Sequence, residues 1–220
     1  MKRFFCLQTI AFCHYGNNET SGQDLPISDG HNTVEDMKSE QELAEHDDVE
    51  AQCRLADYLY TGKYVMKDKG EIKTICRNAN KAFFWWSRAA EQGNAKAQYM
   101  VGYCYYHGDG TPVNRTEAFR WFQLAAEQRI ADAQFFLGIC YWDGEGTTAN
   151  KNEAFRCFRN AAEQGVLDAQ YYLGICYWSG EGIEEDIDEA IRWLRRAAAQ
   201  GHGKAILFLE RHGIDITDTL

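Results

Sequence analysis

Several residue sets in this 220-residue chain have types and spacings that could do chemistry, and most recur at a fixed interval. Glu117, Glu153 and Glu189 stand 36 residues apart, as do Cys104, Cys140 and Cys176. The glycine pairs Gly108/Gly110, Gly144/Gly146 and Gly180/Gly182 keep the same step. Carboxylates can act as general acid and base, thiols as nucleophiles or disulfide halves, and glycine turns as phosphate cradles. Each set nevertheless reads better as architecture. The glutamates each follow a cap residue by three positions, and two converging acids would be needed for acid–base work, whereas these recur one per unit. The glycine pairs are too short to cradle phosphate and have the pattern of helix-ending turns. The six histidines (His14, His31, His46, His107, His202, His212) share no ligand spacing, and neither CxxC nor HExxH occurs. There is no GxSxG elbow, no P-loop and no GxGxxG after a strand. No residue is assigned a catalytic or metal-binding role, and no cofactor is expected.

The elements behind these sets form one unit written three times, from Asn94, Ile130 and Val166. Ala97, Ala133 and Ala169 share the 36-residue step, as do Gly102, Gly138 and Gly174. A fixed period of this size marks a solenoid of stacked units. In the second copy Ala133, Leu137 and Tyr141 recur every four residues and predict one face of a helix. Gly138 lies inside that helix, where glycine costs about 1 kcal/mol against alanine. Its recurrence predicts another helix crossing too close for a Cβ. The helix ends at Gly144 and Gly146. A second helix then starts from Asn150 as N-cap, with Glu153 completing a capping box, and carries Ala154, Phe158, Ala161 and Ala162 as its apolar stripe. The pairs Asn114/Glu117 and Asp186/Glu189 repeat this start. The unit is therefore two helices of about 13 residues joined by a glycine turn.

Around the three copies, the chain divides into a leader and flexible arm (1–31), a half-unit (32–48), units at 49–93, 94–129, 130–165 and 166–201, a terminal helix (202–212) and a tail (213–220). Asn32 and Glu35 give the half-unit a capping box of its own. Ala51 precedes Ala97 by 46 residues instead of 36, so an insertion of ten falls between Gly62 and Asn78 and is expected to be an extra loop. Glu210 replaces the repeated glycine in the terminal helix, as suits a cap.

The net charge of −10 is concentrated in residues 1–50, which hold three basic and eleven acidic residues. With no basic stripe to meet phosphates, nucleic acid is not an expected partner. Residues 1–13 have a basic start and a short apolar run that Gln8 and Thr9 interrupt, and no Ala-x-Ala site follows. A cytoplasmic location is favoured, with a secreted or periplasmic one if the leader is cleaved. No stretch reaches the roughly 20 apolar residues of a transmembrane segment.

The string AxAQxxLGxxYxxGxG at 131–146 and KAxxWxxxAAxxG at 81–93 resemble the Sel1-like repeat family, a branch of the tetratricopeptide-like superhelices. The likeness covers roughly 45–211, with Arg129 replacing a closing glycine and Leu59 a tyrosine. It implies an all-α fold, a right-handed α-solenoid of antiparallel helix pairs, acting as an adaptor that presents a concave groove to a protein or peptide client. A cysteine-rich branch of the family is described as binding or hydrolysing β-lactams and staples each repeat with its own cysteine pair. Here one cysteine per repeat is periodic, which leaves that activity as the alternative reading. A purely structural or inhibitory binder of a cell-envelope component is a third, should the leader be cleaved. Neighbouring helices lie about 8–10 Å apart, beyond the roughly 4.4–6.8 Å between Cα atoms of a disulfide. Cys104, Cys140 and Cys176 are accordingly expected to be free, buried and apolar in role.

One surface remains as the candidate for binding. Opposite the shared core face of each first helix run the rows Tyr99–Tyr103–Tyr106, Phe135–Ile139–Trp142 and Tyr171–Ile175–Trp178. Seven of these nine residues are aromatic. Part of each row must pack between repeats. The remainder, with Tyr and Trp combining apolar area and a polar handle, is expected to line a client groove.

Overall fold

The computed structural model describes residues 34–62, 65–68, 71–74 and 77–216. The leader and arm, the cap expected at Asn32, and residues 217–220 lie outside that set. Ten α-helices are described: α1 (Val34–Glu45), α2 (Val49–Thr61), α3 (Ala79–Glu91), α4 (Ala95–His107), α5 (Arg115–Glu127), α6 (Ala131–Asp143), α7 (Lys151–Glu163), α8 (Leu167–Ser179), α9 (Ile187–Ala199) and α10 (Gly203–Arg211). Each packs on the helices just before and after it, giving a solenoid of antiparallel helix pairs. The first helices of the repeats are α2, α4, α6 and α8, and the second helices are α3, α5, α7 and α9; α10 occupies the place of a further first helix.

The ten-residue insertion is not plain loop. Val65–Asp68 (β1) pairs antiparallel with Glu71–Thr74 (β2), with Val65 opposite Thr74 and Asp68 opposite Glu71. The alternation is short and carries Lys67, Lys73 and two acids, so it lacks the apolar period-two pattern by which a strand is read.

Local starts and stops follow from individual residues. Asn78, Asn114, Asn150 and Asp186 cap the second helices, each side chain accepting the N–H three residues on. The reciprocal half of the capping box does not form. The N–H groups of Asn114, Asn150 and Asp186 donate instead to the carbonyls of Tyr105, Tyr141 and Tyr177 at 2.8–2.9 Å. Glu117, Glu153 and Glu189 turn outward to Arg120, Arg156 and Arg192. A tertiary bond to the end of the preceding helix thus displaces the local one. It anchors both helices of a repeat across the turn.

In the three repeats that begin with α4, α6 and α8 the crossing is closed by glycine, where α2 carries the buried Ala56. A Cβ on Gly138 would lie 2.6 Å from Cε1 of Phe158, one on Gly102 would lie 2.8 Å from Cδ1 of Phe122, and one on Gly174 would lie 2.7 Å from Cγ of Leu194. These three side chains are fully buried. The core they complete is otherwise made of small residues, Ala97, Ala118, Ala133, Ala154, Ala169 and Ala190 among them. Alanine lets two helices approach so that aromatic rings can fill the space between them.

Buried glutamines hold successive helices together. Gln52, Gln98, Gln134 and Gln170 donate from Nε2 to the carbonyls of Ala44, Ala90, Ala126 and Ala162 at 3.0–3.5 Å. Their Oε1 atoms accept from Gln92, Gln128, Gln164 and Gln200 at 2.6–3.0 Å. Each clamp joins a first helix to the end of the helix before it and to the end of its own partner. The carbonyls of Ala44, Ala90, Ala126 and Ala162 also accept a backbone N–H from the return that follows, so the glutamine occupies the second lone pair of each.

The return after each second helix selects backbone conformation alone. Gly93, Gly165 and Gly201 have φ of +90°, +94° and +86°, and a Cβ there would meet nothing within 4 Å. Asp47 and Arg129 occupy the two equivalent returns at φ +65°. A side chain in this region costs about 1–2 kcal/mol, partly offset by the lower chain entropy of a non-glycine residue. Arg129→Gly is therefore expected to raise stability by up to about 1 kcal/mol, read as a higher urea midpoint.

Candidate functional site

The rows on the first helices are partly exposed over their whole length: Tyr99, Tyr103, Tyr106, Phe135, Ile139, Trp142, Tyr171, Ile175 and Trp178 are neither buried nor fully open. Their core-facing neighbours Ala133, Leu137, Ala169 and Leu173 are buried. Tyr141, read as part of the core face, is also only partly buried and packs its ring edge-on against Phe119, at 5.3 Å between centroids.

Row members are also joined across repeats. Phe136 of α6 meets Tyr99, Tyr103 and Tyr106 of α4 at ring-centroid distances of 6.1, 5.9 and 5.6 Å. Tyr172 of α8 meets Phe135 and Trp142 of α6 at 5.8 and 6.5 Å. At the far end Trp178 lies against Phe208 (5.2 Å) and His212 (4.7 Å). Each such pair is of the offset or edge-on kind that contributes about 0.5–1.5 kcal/mol beyond area.

The third row position carries a further connection. Arg115 lies over the Tyr106 ring at 3.9 Å and pairs with Glu145, the residue between the next repeat's two glycines, at 3.4 Å. Lys151 repeats this over Trp142 at 3.4 Å, with Glu181 at 2.9 Å. Arg77 does the same over Tyr60, pairing with Asp109. Burial, then the hydrogen bond to Glu145, pushes the Tyr106 phenol above its ordinary range, and burial with Asp109 does so for Tyr60. A ring, a cation and an acid thus lock each repeat to the next. The 36-residue recurrence of Asp109, Glu145 and Glu181 was the available sequence signal. Arg115 and Lys151 keep the same 36-residue step, but Arg77 stands 38 residues before Arg115 and the cation changes from arginine to lysine, which hides the motif.

The second glycine of each turn belongs to the same joint. A Cβ on Gly110, Gly146 or Gly182 would lie 2.6, 2.5 or 2.6 Å from the carbonyl carbon of Ala79, Arg115 or Lys151, at the start of the preceding repeat's second helix. Gly108, Gly144 and Gly180 serve as left-handed C-caps, with φ of +77°, +74° and +66°.

Cys104, Cys140 and Cys176 are fully buried free thiols, and Cys157 is nearly so. Burial, before any charge, pushes all four up from 9.0 to about 12. Because the folded values lie above the unfolded one, their contribution to stability is complete below pH 9 and is lost as pH rises from 9 towards 12. At pH 8 a disulfide reagent is expected to label these thiols only after denaturation, and labelling at the rate of a free thiol in native protein would contradict the burial. Among the described residues no group of three or more His, Cys, Asp or Glu is placed to hold a metal. No described helix is long and apolar enough to cross a membrane.

The geometry defines a class: an α-solenoid built from helix pairs of 36-residue period, a fold consistent with a protein–protein interaction scaffold. The Sel1 repeat model matches residues 49–71, 75–94, 95–129, 131–166 and 167–202, and the chain belongs to the Sel1 repeat family. Among solved structures it is similar to a protective antigen present in uropathogenic Escherichia coli strains that displays an SLR fold, at 30% identity and a TM-score of 0.70 over 81% of this chain and 37% of that one. It is also similar to a Sel1 repeat protein from Oxalobacter formigenes, at 32% identity and a TM-score of 0.66 over 77% of this chain and 63% of that one. The chain thus spans less than two thirds of the length of either. No curated protein matches it.

Proposed function

We propose that the protein is a non-enzymatic scaffold that binds a protein or peptide client along the first-helix rows, with Tyr99, Phe135 and Tyr171 as the leading contacts. The observation that carries this reading is the partial exposure of a regular aromatic row on helices whose core face is already closed by Ala, Leu and Gly. Tyr106 and Trp142 have inter-repeat duties as well, and Trp178 rests on the terminal helix, so these three are weaker choices for a test.

The test is capture of clients by immobilised full chain, compared with a Phe135→Ala/Tyr171→Ala variant. Aromatic anchors in interfaces commonly contribute about 2 kcal/mol or more each, so row-dependent clients are expected to be lost. The variant should lose less stability than Leu137→Ala, for which about 2–5 kcal/mol is expected. Unchanged capture, or a binding loss no larger than the stability loss explains, would remove the row from consideration.

A further inference from the structure

His107, the last residue of α4, stands at the joint with α6 and has no counterpart of its own kind, since Asp143 and Ser179 follow it at the 36-residue step. Its imidazole lies on Tyr103 at 4.3 Å between centroids and beside Tyr106 at 5.0 Å. It also stands perpendicular to Phe136 of α6 at 6.1 Å. The residue is otherwise exposed, so protons reach it from solvent.

The charges that act on this ring belong to two joints. Arg115 of α5, over the Tyr106 ring and paired with Glu145, is the cation of the α4–α6 joint. Asp109, in the turn after α4, pairs with Arg77 in the joint before it. The Tyr103 and Tyr106 phenols are both pushed up, first by burial. Cover by the surrounding rings, then Arg115, lowers the imidazole below its ordinary 6.5, against the opposing pull of Asp109 and Glu145. One period on, burial and then Glu145 raise Asp143, so this register disfavours charge of either sign. An imidazolium would give Arg115 a second cation as neighbour while Glu145 and Asp109 are already committed to Arg115 and Arg77. The free carbonyls at the end of α4 favour a cation turned to solvent. The protonated ring therefore gains by leaving Tyr103 and Tyr106.

We propose that His107 is a proton-sensitive latch of the α4–α6 joint. Its protonation lifts the imidazole off Tyr103 and Tyr106, loosens Arg115 from Glu145 and uncovers the α4 end of the aromatic row. Because the folded imidazole is the lowered one, its contribution to stability is complete above pH 6.5 and is lost as pH falls below that through the folded value. The joint exists with or without a client, so the latch is tested without one.

The test compares the full chain at pH 7.5 and pH 5.0 by hydrogen exchange, corrected for the intrinsic effect of pH. The amides of Glu117, Ala118, Gly144 and Glu145 are all hydrogen-bonded and report opening of the joint. Their protection is expected to fall about threefold or more at pH 5.0, a modest effect because solvent screens an exposed charge. The bonded amides of Gly165 and Val166, in a return away from the joint, should change less. His107→Gln should abolish most of the fall, and His107→Lys, which fixes the charge, should show low protection already at pH 7.5. An equal fall at Gly165 and Val166, an equal fall in His107→Gln, or native protection in His107→Lys at pH 7.5 would overturn the latch. NMR reads the movement itself, since the His107 ring protons should lose the ring-current shift from Tyr103 as the imidazole titrates. A titrating ring that keeps this shift stays in place, and that result too would overturn the proposal.

Discussion

Gly146→Ala is expected to be the most damaging single methyl in the solenoid, at about 3 kcal/mol or more. Two costs act together. The residue has φ +75°, where an L side chain is strained by about 1–2 kcal/mol. Its Cβ would also overlap the Arg115 carbonyl, which is backbone at the first turn of α5 and cannot swing aside. Relief requires the next repeat to move off this one, which would pull Glu145 from Arg115 and loosen the cation over Tyr106. Overpacking of this kind costs about 1–3 kcal/mol. Gly165→Ala provides the internal comparison, since φ +94° imposes the same type of strain but no atom lies within 4 Å of its Cβ. Urea unfolding of the two variants should therefore separate the steric cost from the conformational one. Equal destabilisation would show that the inter-repeat joint is not tight at Gly146.

The difference between these two glycines also marks what the sequence could tell. A 36-residue period made the helix pairs, their ends and the glycine turns legible, because caps, stripes and left-handed stops are local and repeat with the fold. Gly144 and Gly146 both read as turn residues on that basis. Only the packed structure distinguishes a C-cap from a residue pressed on another repeat's backbone. The capping boxes fail for a similar reason. Asn150 and Glu153 have the right spacing, but the carbonyl of Tyr141 competes for the cap's N–H, and that competitor is brought in by tertiary packing. The glutamine clamps were written in the sequence as two separate 36-residue series, Gln98–Gln134–Gln170 and Gln92–Gln128–Gln164–Gln200, without a sign that they meet. The candidate row was legible as an aromatic stripe. Its division of labour was not, because whether Trp142 serves packing or binding depends on Lys151 lying over its ring.

Gly138→Leu is expected to cost about 2–4 kcal/mol, and its context dependence tests the reason. The added side chain would enter the space filled by the Phe158 ring, 2.6 Å from where the Cβ must sit, with the Cys157 Cβ at 3.2 Å behind it. Neither neighbour can withdraw, since Phe158 is fully buried between α6, α7 and α8 and already stacks on Tyr172 at 5.1 Å. The smaller change Gly138→Ala should also destabilise in the native background, although alanine is the better helix former by about 1 kcal/mol. Phe158→Ala alone should cost about 3–5 kcal/mol by opening a cavity. In that background the ring is gone and only the Cys157 Cβ at 3.2 Å remains, so Gly138→Ala should lose most of its cost and helix propensity should bring it to neutral or stabilising. A double-mutant cycle read by urea midpoint measures the coupling directly. Additive losses would mean that glycine recurs at this position for a reason other than the crossing of α6 and α7.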